Sequence, residues 1–110
     1  HEGASMSSLP IHTTSPHKRS ALAQILKEYP SSSAAAQCQR IREALARFAC
    51  TSLELVRYLD CYDANARLHE LRHRHGVGIG MSWVRQQTEA GELHRVGLFF
   101  LDKEASHAAS

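Results

Sequence analysis

The stretch TSLELVRYLDCYDANARLHELRHRH, residues 51–75, decides the fold of this chain of 110 residues. It opens with Thr51-Ser52-Leu53-Glu54, a capping-box pattern in which a hydroxyl caps a helix and a Glu bonds back to the cap N–H. A short helix follows, the residues 60–62 make a turn, and Asp63 is a natural cap for a second helix. The second helix carries an apolar stripe that should face a core: Ala64, Leu68 and Leu71. The pattern predicts two short helices joined by a tight turn.

Two further helices are predicted before this stretch. Ser15-Pro16 is typical of a helix start, because Ser caps well and Pro fits the first helical position. Apolar residues then recur at helical spacing to Tyr29, and Pro30 with three serines forms a linker. A strongly amphipathic helix is predicted over residues 34–49.

The two ends of the chain lack such patterns. We expect residues 1–14 and 103–110 to be disordered tails, since they are polar and unpatterned. Because the first residue is not Met, residues 1–5 are expected to be an expression scar before Met6.

After Gly76 and Gly78 the apolar period changes from helical to alternating. Two alternating runs flank the turn at residues 88–91, so a β-hairpin is predicted over residues 79–101. The resulting fold class is mainly α with a β-hairpin. It is a winged helix-turn-helix over residues 34–102, with a three-helix core plus a wing, and an extra N-terminal helix and Ser-rich linker at residues 15–33. The extra helix could dock on the domain or pair with a second subunit, so monomer and homodimer both stay open.

Composition excludes several classes of protein. No apolar run reaches the roughly 18 residues that suggest a membrane span, and no secretory leader pattern is present. The three cysteines form no CxxC pair, which favours buried, reduced thiols in a cytoplasmic protein over a structural zinc site. Net charge is only +2, but residues 64–87 contain four arginines and one glutamate. Positive charge concentrated on one element is typical of a phosphate-binding surface, and also of a solvated helix face.

The second helix of the pair is the predicted reader of double-stranded DNA, with residues 63–75 in the major groove. Asn can form two hydrogen bonds with adenine, Arg can do so with guanine, and a small Ala can touch a thymine methyl. The candidate base contacts are therefore Asn65, Ala66, Arg67 and His69. The candidate phosphate contacts further along the helix are Arg72, His73 and Arg74. On the wing, the candidates are Arg85, Gln86 and Arg95.

Ion pairs within the protein are the alternative for some of these residues. Arg67 could pair with Asp63 on the helix surface. Glu70 could pair with Arg74 or accept from a cytosine amino group.

The segment TSLELVRYLDCYDANARLHELRHRHGVGIGMSWV, with the later GELHRVGLFFL, resembles the small helix-turn-helix domains of bacteriophage and other mobile-element proteins. In that family a Thr-rich cap opens the first helix, and Ala-Arg-aliphatic-x-Glu-Leu-Arg, here Ala66–Arg72, lies in the second. A Gly-x-x-Ile turn and a Trp-containing strand follow. The resemblance covers residues 37–101. It implies DNA binding in a bacterial host cell by a transcription regulator or a replication or recombination accessory.

His69-Glu70-Leu71-Arg72-His73 also matches HExxH, the helix motif of zinc proteases. We disfavour that interpretation because Ile79 stands where a third ligand is needed, and because the predicted strands follow the helix instead of preceding it. Leu71 in the core stripe would also turn both histidines to solvent, away from any second shell of ligands. We therefore expect no catalytic residue, metal or cofactor. The main alternative to DNA binding is a winged domain that binds protein.

Overall fold

The computed structural model describes residues 8–102. It contains four helices, α1 (Pro16–Glu28), α2 (Ala34–Leu45), α3 (Ser52–Leu59) and α4 (Ala64–His73), and three strands, β1 (Cys50–Thr51), β2 (Ile79–Gln87) and β3 (Leu93–Leu101). The strands form one antiparallel sheet in the order β1-β3-β2. The predicted fold class is confirmed: helices α2 to α4 and the hairpin form a winged helix, and α1 is the extra N-terminal helix.

Side-chain caps begin the helices where the sequence predicted them. The Ser15 hydroxyl accepts from the backbone N–H of Lys18 at 3.1 Å. Thr51 and Glu54 form the complete capping box, and the Asp63 carboxylate accepts from the N–H of Ala66 at 3.4 Å. Because a cap satisfies backbone donors within its own helix, these boundaries depend only on nearby residues.

The turn between α3 and α4 has a tight backbone geometry. Asp60 ends α3 in the left-handed region, with φ of 54°, a conformation that Asp tolerates better than most residues. The next residue, Cys61, is fully buried. The turn therefore packs against the core and fixes the angle between the two helices.

Helix α1 docks on the domain. Leu22 and Ile25 of α1 lie in the same hydrophobic cluster as Leu55 and Leu59 of α3 and Leu68 of α4. Of the two arrangements that the sequence left open for α1, the structure therefore shows packing within the chain.

A buried guanidinium ties the helices together. Arg40 of α2 is 1% exposed. Its nitrogens donate to the carbonyl oxygens of Leu59 at 2.7 Å and Ser31 at 2.7 Å, and also to that of Tyr29. One side chain therefore joins the end of α1, the Ser-rich linker and the end of α3.

The hairpin forms in the predicted place, and it gains a third strand. Ile79 lies opposite Leu101 and Gln87 opposite Leu93, with Gly91 of the turn at φ of 90°. The short strand β1, which the sequence did not predict, pairs Cys50 with Phe99. This pairing attaches the wing directly to the start of α3.

Residues 8–14 differ from the predicted disordered tail. The N–H of Arg85 donates to the carbonyl of Pro10 at 2.8 Å, and the N–H of His12 donates to the carbonyl of Arg85 at 2.7 Å. The segment therefore adds to the free edge of β2. The predictions for residues 1–5 and 103–110 fall outside the described residues.

A buried carboxylate anchors this N-terminal segment. Glu54, which has no exposed surface, accepts from Lys18 Nζ at 2.7 Å and from the Thr14 hydroxyl, and its Oε2 lies 2.9 Å from His12 Nε2. Burial by itself would raise the pKa of Glu54, but the hydrogen bonds outweigh it and the pKa lies below its ordinary value. The capping residue of α3 thus also holds the N-terminal segment.

Candidate nucleic-acid interface

Helix α4 presents one polar side to solvent. Ala64, Leu68 and Leu71 are buried in the core, whereas Asn65, His69 and His73 are exposed. The two imidazole rings lie next to each other, with centroids 4.3 Å apart. This is the rotation that the apolar stripe predicted, and it leaves a row of hydrogen-bonding side chains one turn apart along the helix. Ala66 and Arg74 lie beside this row, half-buried and exposed respectively.

Arg67 is engaged within the protein. Its Nε lies 3.0 Å from Oε1 of Glu70 without hydrogen-bond geometry, and its Nη2 donates to Oε2 at 3.3 Å. The Cys38 thiol of α2 donates to the same carboxylate at 3.4 Å. The partners predicted for the two residues, Asp63 and Arg74, are therefore wrong. Because the Arg67–Glu70 pair lies against α2, Arg67 is not free to read a base in this conformation.

Arg72 has a structural partner as well. Its Nε and Nη2 donate to the carbonyl of Ile79, at 3.2 and 3.0 Å, and its guanidinium carbon lies 5.9 Å from the centre of the Phe99 ring. This side chain joins the end of α4 to the start of β2. Its predicted role as a phosphate contact would require breaking these bonds.

Two of the three predicted wing contacts have hydrogen-bond partners inside the protein. Gln86 is 4% exposed, and its amide oxygen accepts from the Thr51 hydroxyl at 2.5 Å. Arg85 donates through Nε to the carbonyl of Leu9 at 2.9 Å. Because β1 and the N-terminal segment enclose Gln86, this side chain is not available for the predicted DNA contact in this conformation. Arg85 is half-buried and bonded to the same N-terminal segment.

The third wing candidate, Arg95, is exposed. Its guanidinium carbon lies 4.4 Å from the centre of the Trp83 ring, which is 45% exposed. Met81 and Ile11 are exposed as well, and Ile11 lies at the β2 edge beside Arg85. We call Ile11, Met81, Trp83 and Arg95 the wing face. It combines apolar surface with one cation.

A further basic group lies where α1 packs against α3. Arg19 of α1 and Arg57 of α3 flank the ring of Tyr58. No sequence pattern predicted this group. In the sequence, each arginine looks like an ordinary exposed residue of a helix. Their proximity becomes visible only when α1 is seen to dock on α3.

The HExxH motif does not form a metal centre within residues 8–102, where no group of three or more His, Cys, Asp or Glu could hold an ion. Glu70, the residue that would act as general base, is paired with Arg67. No helix in this part of the chain is long and apolar enough to cross a membrane.

A helical core with a capped two-helix turn and an attached hairpin defines the class of winged helix domains. A family model described as a winged helix-turn-helix domain matches residues 36–104, and the chain belongs to that family. The segment 8–28, with α1, lies outside the match. Comparisons with curated proteins and with solved structures gave no match. Membership of this family generally suggests DNA binding and a role that is not enzymatic.

Proposed function

We propose that this protein binds double-stranded DNA with sequence preference, with α4 in the major groove and the hairpin as the wing. The observation that carries the proposal is the exposed row Asn65, His69 and His73 on a helix whose opposite side is buried. A helix in the major groove uses its outward side chains to contact base edges, most of them near its N-terminus. Asn65 is the second residue of α4, so it is well placed for this role.

The exposed side chains have suitable chemistry for base recognition. The amide of Asn65 can donate to and accept from adenine in a bidentate pair. The imidazoles of His69 and His73 can each donate or accept through a ring nitrogen. Ala66 adds little bulk, which lets the helix approach the bases closely.

Exposed arginines on α4 and on the wing would provide phosphate contacts. Arg74 caps the C-terminal end of α4 and is exposed. Arg95 is held over the Trp83 ring on the wing. We exclude Arg67, Arg72 and Gln86 from the proposed interface, because each has partners inside the domain.

The resemblance to bacteriophage and mobile-element domains supports a biological context for this activity. We propose a regulator of transcription, or an accessory factor in replication or recombination, that acts in the cytoplasm of a bacterial host.

The test is to select preferred duplexes from a random library and then compare their affinity with that of a scrambled duplex. Asn65→Ala should reduce the ratio of the two affinities by roughly 5- to 150-fold, the range for loss of one bidentate base contact. Gln24→Ala, an exposed change on α1, serves as the matched control. Failure of the wild-type protein to bind any duplex at low salt would contradict the proposal, and so would an unchanged ratio in the Asn65 variant.

The wing face supports a second candidate, a winged domain that docks on protein, including a second copy of this chain. Exposed Met81 and Trp83 side by side on a strand are typical of contact surfaces. Trp83 is the only tryptophan of the chain, so its fluorescence reports on this face. If this face joins two copies, the mass measured by sedimentation should rise with protein concentration for the wild type. It should stay that of the monomer for Trp83→Ser. A monomer at all concentrations would contradict self-association.

A further inference from the structure

A polar groove of about 230 Å³ lies between the N-terminal segment, α1, α3 and β2. None of the residues that line it is an Asp or a Glu. Its walls instead carry two guanidiniums, from Arg19 and Arg57, together with the side chains of Thr13, Tyr58 and Gln87. A concave surface built from hydrogen-bond donors and positive charge is suited to an anion.

The two guanidiniums lie beside the same aromatic ring. The Arg19 guanidinium carbon is 5.8 Å from the centre of the Tyr58 ring, and that of Arg57 is 5.9 Å from it. Contacts of this kind, over or beside the ring, limit the freedom of both long side chains. The arginines are therefore partly positioned before any ligand arrives, which lowers the entropic cost of binding.

Neither arginine has a strong counter-ion among residues 8–102. No carboxylate in that part of the chain lies within ion-pair distance of Arg19. Arg57 has one partner, Glu89 of the hairpin turn, at 3.8 Å, and Glu89 is 87% exposed. An exposed pair at that distance contributes little. The groove therefore keeps an uncompensated positive charge that a bound anion would neutralise.

We infer that this groove binds a phosphate group of the nucleic-acid backbone. The planar guanidinium matches phosphate geometry with two parallel donors, and the hydroxyls of Thr13 and Tyr58 can add further hydrogen bonds. The backbone is the favoured source because α3, which carries Arg57, is the first helix of the pair, and in this docking mode that helix crosses the DNA backbone. The inference rests on the proposed function and extends it to α1, which lies outside the matched family domain.

The test is the salt dependence of duplex affinity, measured by fluorescence anisotropy for the wild type, Arg19→Gln, Arg57→Gln and the double variant. Each lost phosphate contact should reduce the slope of log affinity against log salt by about 0.9. The loss of affinity should be the same for preferred and scrambled duplexes. Lys27→Gln, an exposed change on α1 away from the groove, is the matched control and should keep the wild-type slope.

A second variant protects the test against misfolding. Glu89→Gln removes the weak partner of Arg57 at a highly exposed position, so it should fold normally and tighten binding to every duplex, by up to about fivefold at low salt. Wild-type slopes in both arginine variants, together with unchanged affinity in Glu89→Gln, would overturn the inference.

Inorganic phosphate separates this inference from the proposed function. In NMR titrations, both phosphate and duplex should shift the signals of Arg57 and Tyr58, whereas only duplex should shift those of Asn65 and His69. Shifts at Arg57 with phosphate but not with duplex would assign the groove to a small phosphate compound and overturn the backbone as the source. Shifts at Arg57 with duplex but none at Asn65 would contradict the role of α4 and leave the groove supported.

Discussion

Replacing Arg40 with Met should strongly destabilise the protein. The guanidinium is buried and donates to carbonyl oxygens on three separate segments, those of Tyr29, Ser31 and Leu59, with a longer bond of 3.5 Å to Asp60. Met keeps much of the apolar stem but donates to none of them. The variant therefore removes the hydrogen bonds and the buried charge while keeping most of the packing.

The expected loss in the free energy of unfolding follows from the carbonyl oxygens that lose a hydrogen-bond donor. An unsatisfied buried polar group costs about 1–3 kcal/mol. Four carbonyls lose a donor in this variant, but that of Leu59 keeps the Cys61 thiol as a weak donor, and the bonds to the other three are only partly buried. Part of the loss is offset, because the folded state no longer has to bury a cation. The expected net loss is about 3 kcal/mol. A domain of this size has a free energy of unfolding of about 5–15 kcal/mol, so the loss would be a large fraction of the total.

Urea unfolding followed by circular dichroism measures this loss directly. Arg42→Met is the matched control, since Arg42 lies on the same helix with an exposed side chain, and a change there should stay within about 0.5 kcal/mol of the wild type. Arg40→Lys should remain destabilised, because an ammonium cannot reproduce the planar fork that reaches all three segments. If the free energy of unfolding of Arg40→Met lies within about 1 kcal/mol of that of the control, the idea that this side chain joins α1 to the helix pair is wrong.

Two further predictions concern titratable groups. Because hydrogen bonds lower the pKa of Glu54 in the folded protein, its contribution to stability is present above the ordinary pKa of 4.5 and is lost as the pH falls below it. In urea titrations at neutral and acidic pH, the stability of Glu54→Gln should therefore depend less on pH than that of the wild type or of the exposed control Glu28→Gln. Equal pH profiles would contradict this role of Glu54. Burial raises the pKa of the Cys38 thiol to about 11 and that of Cys50 to about 12, and it also raises the pKa of Cys61. At pH ~8 a thiol reagent should therefore label none of the three in the folded protein and all of them in denaturant. Rapid labelling of the native protein would refute this.

Local signals in the sequence were enough for the helices and the hairpin. The caps at Ser15, Thr51 and Asp63 each act on a backbone donor three residues away. The rotation of α4 was predicted because apolar residues at helical spacing have only one way to be buried together. Such features need no knowledge of distant parts of the chain.

The availability of the long polar side chains could not be predicted in the same way. Periodicity places Arg67 and Arg72 at the edges of the polar face, where a flexible side chain can turn either to solvent or to a neighbour. Arg72 turns to the carbonyl of Ile79 in β2, and the Glu70 partner of Arg67, although it lies on the same helix, also accepts from Cys38 of α2. Gln86 was misplaced for a related reason, since its partner Thr51 lies 35 residues away in sequence.

Residues 8–14 show the same limit for a whole segment. They carry no periodic pattern, so the sequence favoured disorder. Their order depends on the free edge of β2 and on the carboxylate of Glu54, which is about forty residues further along the chain.

The sequence by itself therefore determined the elements, their ends and the side of α4 that turns outward, because hydrogen bonds and apolar spacing within a few residues control these. Only the tertiary structure decided that α1 joins the core and that Arg72 turns to β2 while Asn65, His69 and His73 stay exposed. It also decided that Arg19 and Arg57 line one groove. Those outcomes depend on which distant backbone and side-chain groups come together on packing, and residues far apart in sequence give no periodic sign of that.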